Sequence, residues 1–126
     1  MKIEISHGEI VDKLTILQIK KTNIIDPIKL DNIVKESDYL LYVVENDLGI
    51  STESPEYLEL LSINNELWVI EDDIRDKERD KVFDNEFIEL ARSVYTTNDK
   101  RAEIKKKINL KYGSLFVEEK SYSNYR

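Results

Sequence analysis

Apolar side chains recur every three or four positions along most of this chain, which is the spacing of amphipathic α-helices. Five segments show that pattern, and residues typical of helix ends separate them. The predicted helices cover about residues 8–24, 27–48, 55–80 and 85–94, followed by one that starts at Thr96 or Thr97 and runs to Gly113. The sequence therefore predicts an all-α fold, a compact bundle of about five helices.

Each predicted helix has a start signal of known chemistry. A side-chain oxygen that precedes a helix can accept hydrogen bonds from its first amides, and proline fits the first helical position. Ser6 followed by Glu9 matches a capping box, in which the glutamate bonds back to the cap. The other start signals are Asp26-Pro27, Ser54-Pro55, Asp84, and Thr96 with Asp99. Gly49 and Gly113 are typical helix stops.

The two ends of the chain do not follow the helical pattern. Met1, Ile3 and Ile5 alternate with charged residues, as in a short strand, and the residues near 115–119 could pair with them in a two-stranded ribbon. We expect one helical domain over residues 1–119 and a C-terminal tail over residues 120–126.

Polar residues accompany the apolar stripe of the third helix. Its buried face is predicted to contain Leu60, Ile63, Leu67, Ile70 and Ile74, and a second stripe follows one position later with Asn64, Trp68, Glu71 and Arg75. This pattern indicates a polar site between helices. We therefore predict that Glu66, Glu71 and Arg75 are largely buried and bonded to other helices.

The last helix carries Arg101 and Lys105 on either side of Ala102, whose small side chain would let the long helix approach. One interpretation is an anion pocket built from Arg92, Arg101 and Lys105, with Arg75 or Lys13 opposite. The other is an internal ion-pair lattice with Glu66, Glu71 and Asp72. Lys13 itself could form a surface pair with Glu9 or point into the cleft.

Composition narrows the classes of function. The net charge is −7: residues 45–89 carry fifteen acidic and four basic side chains, and residues 90–126 carry nine basic and four acidic ones. Overall acidity argues against nucleic-acid binding. No apolar run approaches the ~20 residues of a membrane span, and the start of the chain lacks a signal-peptide core. We expect a cytoplasmic protein, with acidic and basic faces pairing within the fold or across a homodimer.

Several cofactor sites are excluded by residue type. The chain has no cysteine and only one histidine, His7, so a classical zinc site is excluded. Its three glycines form neither a dinucleotide fingerprint nor a phosphate loop. One helix face carries Asp72, Asp76 and Asp80. These aspartates either form a solvated face that pairs with nearby basic side chains or form a magnesium or calcium site. We predict no bound metal, and keep magnesium as the alternative.

Four stretches resemble an uncharacterised family of small proteins: Gly8–Leu17, Asn65–Arg75, Asn98–Lys105 and Glu118–Tyr122. The resemblance spans nearly the whole chain and implies occurrence in bacteria, phages and large DNA viruses, near or fused to glycosyltransferases. It implies a common polar site and a sugar-transfer enzyme as partner, without defining a reaction. A looser similarity to helical magnesium-dependent nucleotide pyrophosphohydrolases rests on Glu56-x-x-Glu59 and Glu86-x-x-Glu89, and Asp73-x-x-Asp76 departs from that pattern.

Two main hypotheses about function follow. In the first, a pocket between helices binds an anionic small molecule such as a nucleotide, nucleotide sugar or sugar phosphate. Glu66 or Glu71 would orient the ligand or exchange a proton, and Trp68 would cover a ring. The binding residues would be Lys13, Trp68, Arg75, Arg92, Arg101 and Lys105. In the second, the chain is a structural or adaptor module whose ion pairs fix the helix register.

Overall fold

The part of the chain that the structure describes folds into four α-helices. The structure is a computed structural model that describes residues 1–125, and Arg126, the last residue of the predicted tail, lies outside the described residues. The elements in chain order are α1 (His7–Asn23), α2 (Pro27–Tyr42), a π-helical turn (Val43–Asp47), α3 (Pro55–Arg79) and α4 (Asn85–Lys111). Within residues 1–125 no helix is long and apolar enough to cross a membrane.

The predicted helix starts at residues 6, 26, 54 and 84 are confirmed. Each of the four side chains accepts at least one hydrogen bond from an amide two or three residues further on. The caps are Ser6 for α1, Asp26 for α2, Ser54 for α3 and Asp84 for α4. Because these bonds satisfy amides that the helix itself cannot pair, each cap fixes where its helix begins.

The prediction of five helices is wrong, because α4 continues without a break through the expected boundary at Thr96. The Thr96 hydroxyl donates to the carbonyl oxygens of Arg92 and Ser93, at 3.2 and 3.3 Å, so it does not act as a cap. Threonine inside a helix commonly bonds back in this way. With no glycine or proline nearby, nothing interrupts the helix.

The predicted ribbon is also not confirmed, since residues 1–5 and 115–119 contain no strand. The apolar side chains of both segments are largely exposed: Ile3 at 74% and Leu115 at 73%. A two-stranded ribbon is stable only when one face packs on the rest of the fold. Here neither segment buries such a face.

The core lies between α1, α3 and α4, with Val44 and Ile50 closing one end. α1 contributes Val11 and Leu14 to it, while α3 and α4 contribute Tyr57, Leu60, Ile63, Leu67, Ile104 and Ile108. α3 and α4 form an antiparallel hairpin, and α2 contacts α1. No residue between 68 and 96 is buried, so the far half of the hairpin extends beyond the three-helix core.

Candidate functional site

A buried carboxylate on α1 is the centre of the polar site. Asp12 is 1% exposed and forms a two-point ion pair with Arg101 of α4. The Arg101 Nε donates to Asp12 Oδ1 at 2.9 Å, and Nη2 donates to Oδ2. This fork-shaped contact fixes the plane of the guanidinium group as well as its position.

Two further polar side chains complete what we call the Asp12 cluster, which consists of Asp12, Thr15, Asn64 and Arg101. The Asn64 amide of α3 donates to Asp12 Oδ1 and to Thr15 Oγ1, both at 2.9 Å. The Thr15 hydroxyl donates to the main-chain oxygen of Asp12 at 2.7 Å. The cluster therefore ties α1, α3 and α4 together through hydrogen bonds.

Lys105 lies one turn along α4 from Arg101 and joins the C-terminal segment, residues 114–125, to the cluster. Its ammonium group is 2.7 Å from Glu9 Oε2, 3.5 Å from Glu118 Oε2 and 4.0 Å from Asp12 Oδ2. Only 12% of the lysine side chain is exposed. The capping box predicts that the Glu9 carboxylate bonds back to the cap of α1, but in the structure it binds Lys105 instead.

Close contact between the start of α1 and α4 brings these groups within reach of one another. The Gly8 amide donates to Asn109 Oδ1 at 2.6 Å. A Cβ atom added at Gly8 would lie 2.5 Å from the carbonyl oxygen of Lys105, which is closer than real side chains approach. Glycine is therefore required here for α1 to lie directly on the backbone of α4.

A cavity of about 350 Å³ opens beside the Asp12 cluster, where α1 meets the α3–α4 hairpin. We call it the Trp68 cavity. Ile16, Leu67 and the ring of Trp68 give it apolar surface, and its polar lining consists of Asn64, Glu71, Asp72, Arg75, Asn98 and Arg101. Its volume lies in the range of small-molecule pockets, which combine apolar walls with a few polar groups.

Both arginines of the Trp68 cavity have carboxylate partners. Arg75 Nη2 is 3.2 Å from Glu71 Oε2 in an exposed pair along α3. The hydrogen bond to Asp12 raises the pKa of Arg101 above its ordinary value, against the opposing effect of burial. Its remaining nitrogen, Nη1, is 3.5 Å from Asn98 Oδ1 at the cavity wall. Arg101 is therefore a fixed, permanently charged donor.

Comparison with known proteins assigns the chain to a family. The sequence model of a family of unknown function, DUF6165, matches residues 1–125. The chain belongs to this family. The match covers all the stretches from which the resemblance was inferred, and the family description names no activity, ligand or partner. The comparisons found no match among curated proteins and none among solved structures.

Four of the predicted site residues meet at the Trp68 cavity: Trp68, Glu71, Arg75 and Arg101. Lys105 lies beside them in contact with Asp12. The expected burial of Glu66 and Arg75 is wrong, because both are exposed, and Glu71 is only partly buried. Within the polar stripe, Asn64 is buried against α1, whereas Trp68 and Glu71 are partly exposed and Arg75 is exposed.

The other predicted residues lie elsewhere. The Lys13 ammonium group is 3.0 Å from Glu36 of α2. Lys13 therefore does not pair with Glu9, and it does not line the Trp68 cavity. Arg92 is exposed and pairs with Glu89 on the same helix at 3.1 Å. Ala102 lines a small space beneath the C-terminal segment together with Glu118 and Lys120.

The described residues contain no group of three or more side chains that could hold a metal ion. Asp76 pairs with Arg79 at 2.9 Å, as the solvated-face interpretation of the aspartate row predicts.

Asp12 was not among the predicted site residues, although the spacing around it carries a detectable signal. Gly8, Asp12, Thr15 and Ile19 follow a 4-3-4 spacing, and all four are buried. A charged residue at such a position needs a partner of opposite charge.

Proposed function

We propose that this chain binds a small molecule that combines a ring, hydroxyl groups and a phosphate, as in a sugar phosphate, in the Trp68 cavity. The observation that carries the proposal is that Trp68, Arg75 and Arg101 line one cavity of about 350 Å³. An aromatic face suits a sugar or heterocyclic ring, and guanidinium groups suit phosphate oxygens.

The geometry of Arg101 supports the phosphate assignment. Asp12 and the packing around it hold the guanidinium group in one orientation, with Nη1 towards Asn98. A donor that is fixed before the ligand arrives loses little conformational entropy on binding. Asp12 would therefore act as a positioning residue for Arg101.

The charge balance of the cavity favours a ligand with hydroxyl groups over a bare anion. Glu71 and Asp72 line the same space as the two arginines, and Asp12 already balances Arg101. Carboxylates accept hydrogen bonds from hydroxyl groups but repel extra phosphate charge. A sugar monophosphate satisfies both sets of groups, whereas inorganic phosphate satisfies only the arginines. The proposal gives no role to Glu66, which does not line the cavity.

The structural-module hypothesis is the second candidate, and the Asp12 cluster itself favours it. Every polar atom of the Asp12 carboxylate is already engaged by Arg101 and Asn64. Such a lattice would fix the register of three helices without any ligand. The two candidates differ in one respect: only the first requires Arg75, which is exposed, and Trp68, which is partly exposed, to respond to an added molecule.

Titration with glucose 1-phosphate tests the proposal, because Trp68 is the only tryptophan and reports directly on the cavity. We expect saturable quenching of its fluorescence, with weaker binding of inorganic phosphate. Arg75→Gln should weaken glucose 1-phosphate binding about 10- to 100-fold, since a hydrogen bond to a charged group is worth ~1.5–3 kcal/mol.

Arg92→Gln is the matched control, because it removes another exposed arginine that is paired within its own helix. It should leave binding unchanged. If glucose 1-phosphate causes no saturable change at millimolar concentration, or if both variants behave alike, the binding proposal is wrong and the structural-module hypothesis replaces it.

A further inference from the structure

A second cavity, of about 530 Å³, lies on the neighbouring face of α4. We call it the tyrosine cavity. α4 contributes Val94, Tyr95, Asn98 and Asp99 to its lining, and the C-terminal segment contributes Lys120, Tyr122 and Tyr125. Asn98 also lines the Trp68 cavity, so this residue borders both spaces.

Ion pairs and hydrogen bonds hold the C-terminal segment on α4 and thereby form the outer wall of the tyrosine cavity. Glu118 is 3.5 Å from Lys105, and Glu119 is 2.9 Å from Lys106. At the other end of the wall, the Tyr125 hydroxyl donates to Asp99 Oδ2 at 2.6 Å. The wall is therefore anchored on both sides of Lys120 and Tyr122.

The rings of the tyrosine cavity offer surface for stacking. Tyr95 and Tyr125 pack edge to face, with ring centroids 4.9 Å apart, and both line the cavity. Tyr122 is 78% exposed, although it lines the cavity together with the other two. Planar heterocycles stack on such rings regardless of their exact hydrogen-bonding pattern.

We propose that the tyrosine cavity binds a nucleobase that is joined through phosphate to the sugar in the Trp68 cavity. The inference rests on the proposed function and narrows its ligand to a nucleoside-diphosphate sugar. Asn98 borders both cavities and Arg101 contacts it from the Trp68 cavity, so the phosphates are expected beside these two residues. Lys120, with its ammonium group 5.5 Å from the centre of the Tyr122 ring, adds positive charge on the base side.

The order of groups along the two cavities agrees with the order of groups in such a ligand. The sugar ring lies on Trp68, with its hydroxyl groups near Glu71 and Asp72. The phosphates lie near Arg101 and Asn98, and the base lies among Tyr95, Tyr122 and Tyr125. A ligand that fills only one cavity would leave the other stacking surface in water.

Calorimetric titration of the full chain with UDP-glucose, ADP-glucose and glucose 1-phosphate tests this inference. The nucleotide sugars should bind more tightly than glucose 1-phosphate. Tyr122→Ala should weaken binding of the nucleotide sugars about tenfold, because stacking on an aromatic ring contributes free energy of that order, and should leave glucose 1-phosphate unaffected.

Tyr39→Ala is the matched control, since Tyr39 is also exposed, at 62%, and lies on α2 away from both cavities. It should change neither titration. If Tyr122→Ala leaves nucleotide-sugar binding unchanged while glucose 1-phosphate binds normally, the base site is wrong and the proposed function stands.

If none of the three compounds binds to the unaltered chain, both proposals fail. Nucleotide-sugar binding that depends on Tyr122 without any glucose 1-phosphate binding would support the base site and overturn the sugar assignment of the Trp68 cavity.

Discussion

Replacing Asp12 with alanine tests whether the Asp12 cluster holds the three core helices together. The carboxylate accepts three hydrogen bonds, two from Arg101 and one from Asn64. Asp12→Ala removes all three at once. It leaves Asn64, which is 5% exposed, without its acceptor on Asp12, and it leaves the Arg101 charge without its counter-ion.

The expected loss of unfolding free energy follows from how deeply the two partners are buried. Removing one member of a fully buried ion pair costs about 3–5 kcal/mol, because the other charge stays buried without compensation. The Arg101 side chain is 28% exposed, so water partly replaces the lost carboxylate. We therefore expect Asp12→Ala to cost about 2–4 kcal/mol after this reduction.

Urea unfolding, followed by circular dichroism of the helices, measures the effect. The double variant Asp12→Ala/Arg101→Ala supplies the control, since it removes the unpaired charge as well. Its loss should be smaller than the sum of the two single losses by about 1–3 kcal/mol, which is the coupling expected of bonded neighbours. A loss below about 0.5 kcal/mol for Asp12→Ala, typical of a surface position, would refute the reasoning.

Three further predictions concern packing and pH. Gly8→Ala should lower the unfolding free energy by about 1–3 kcal/mol, as overpacking does, because the new methyl group meets the Lys105 carbonyl; an unchanged urea midpoint would contradict this close approach. Burial raises the pKa of Tyr57 from 10.0 to about 12, so its contribution to stability is complete below pH 10.0 and is lost as pH rises towards 12. The Tyr57→Phe variant should therefore lose less unfolding free energy between these pH values than the unaltered chain does, as measured by alkaline unfolding. The hydrogen bond from Lys111 holds the pKa of Glu56 below 4.5. The stabilisation by the ionised Glu56 carboxylate is therefore present above that pH and is lost on acidification. The Glu56→Gln variant should show a smaller difference in urea midpoint between neutral pH and about pH 3 than the unaltered chain does.

The starts of the helices were predictable because capping is a local interaction. Asp84 and Phe87 are three residues apart, and the hydrogen bond that joins them depends on little else. The break expected at Thr96 was wrong for a related reason. A threonine can cap a helix or bond back to the preceding turn, and the choice depends on whether the helix before it is already formed and packed.

The site was predictable only in part, because periodicity shows on which side of a helix a residue lies but not whether another helix packs against that side. The 3-4 spacing correctly placed Trp68 and Arg75 on one side of α3. It could not show that this side faces solvent rather than another helix. The pairing of Asp12 with Arg101 joins residues 89 positions apart, and no local pattern specifies such a contact.

The position of the Trp68 cavity follows from the unequal lengths of the helices. α3 and α4 have 25 and 27 residues, whereas α1 has 17, so α1 covers only part of the hairpin. Past the level of Ile16, which lines the cavity, the hairpin continues as an arm over residues 68–96 in which no residue is buried. Polar side chains of α3 and α4 at this boundary can be held in place by the Asp12 cluster and can still be reached from solvent. Because a binding site needs both properties, we expect ligand contacts at this boundary rather than at the exposed tip of the hairpin.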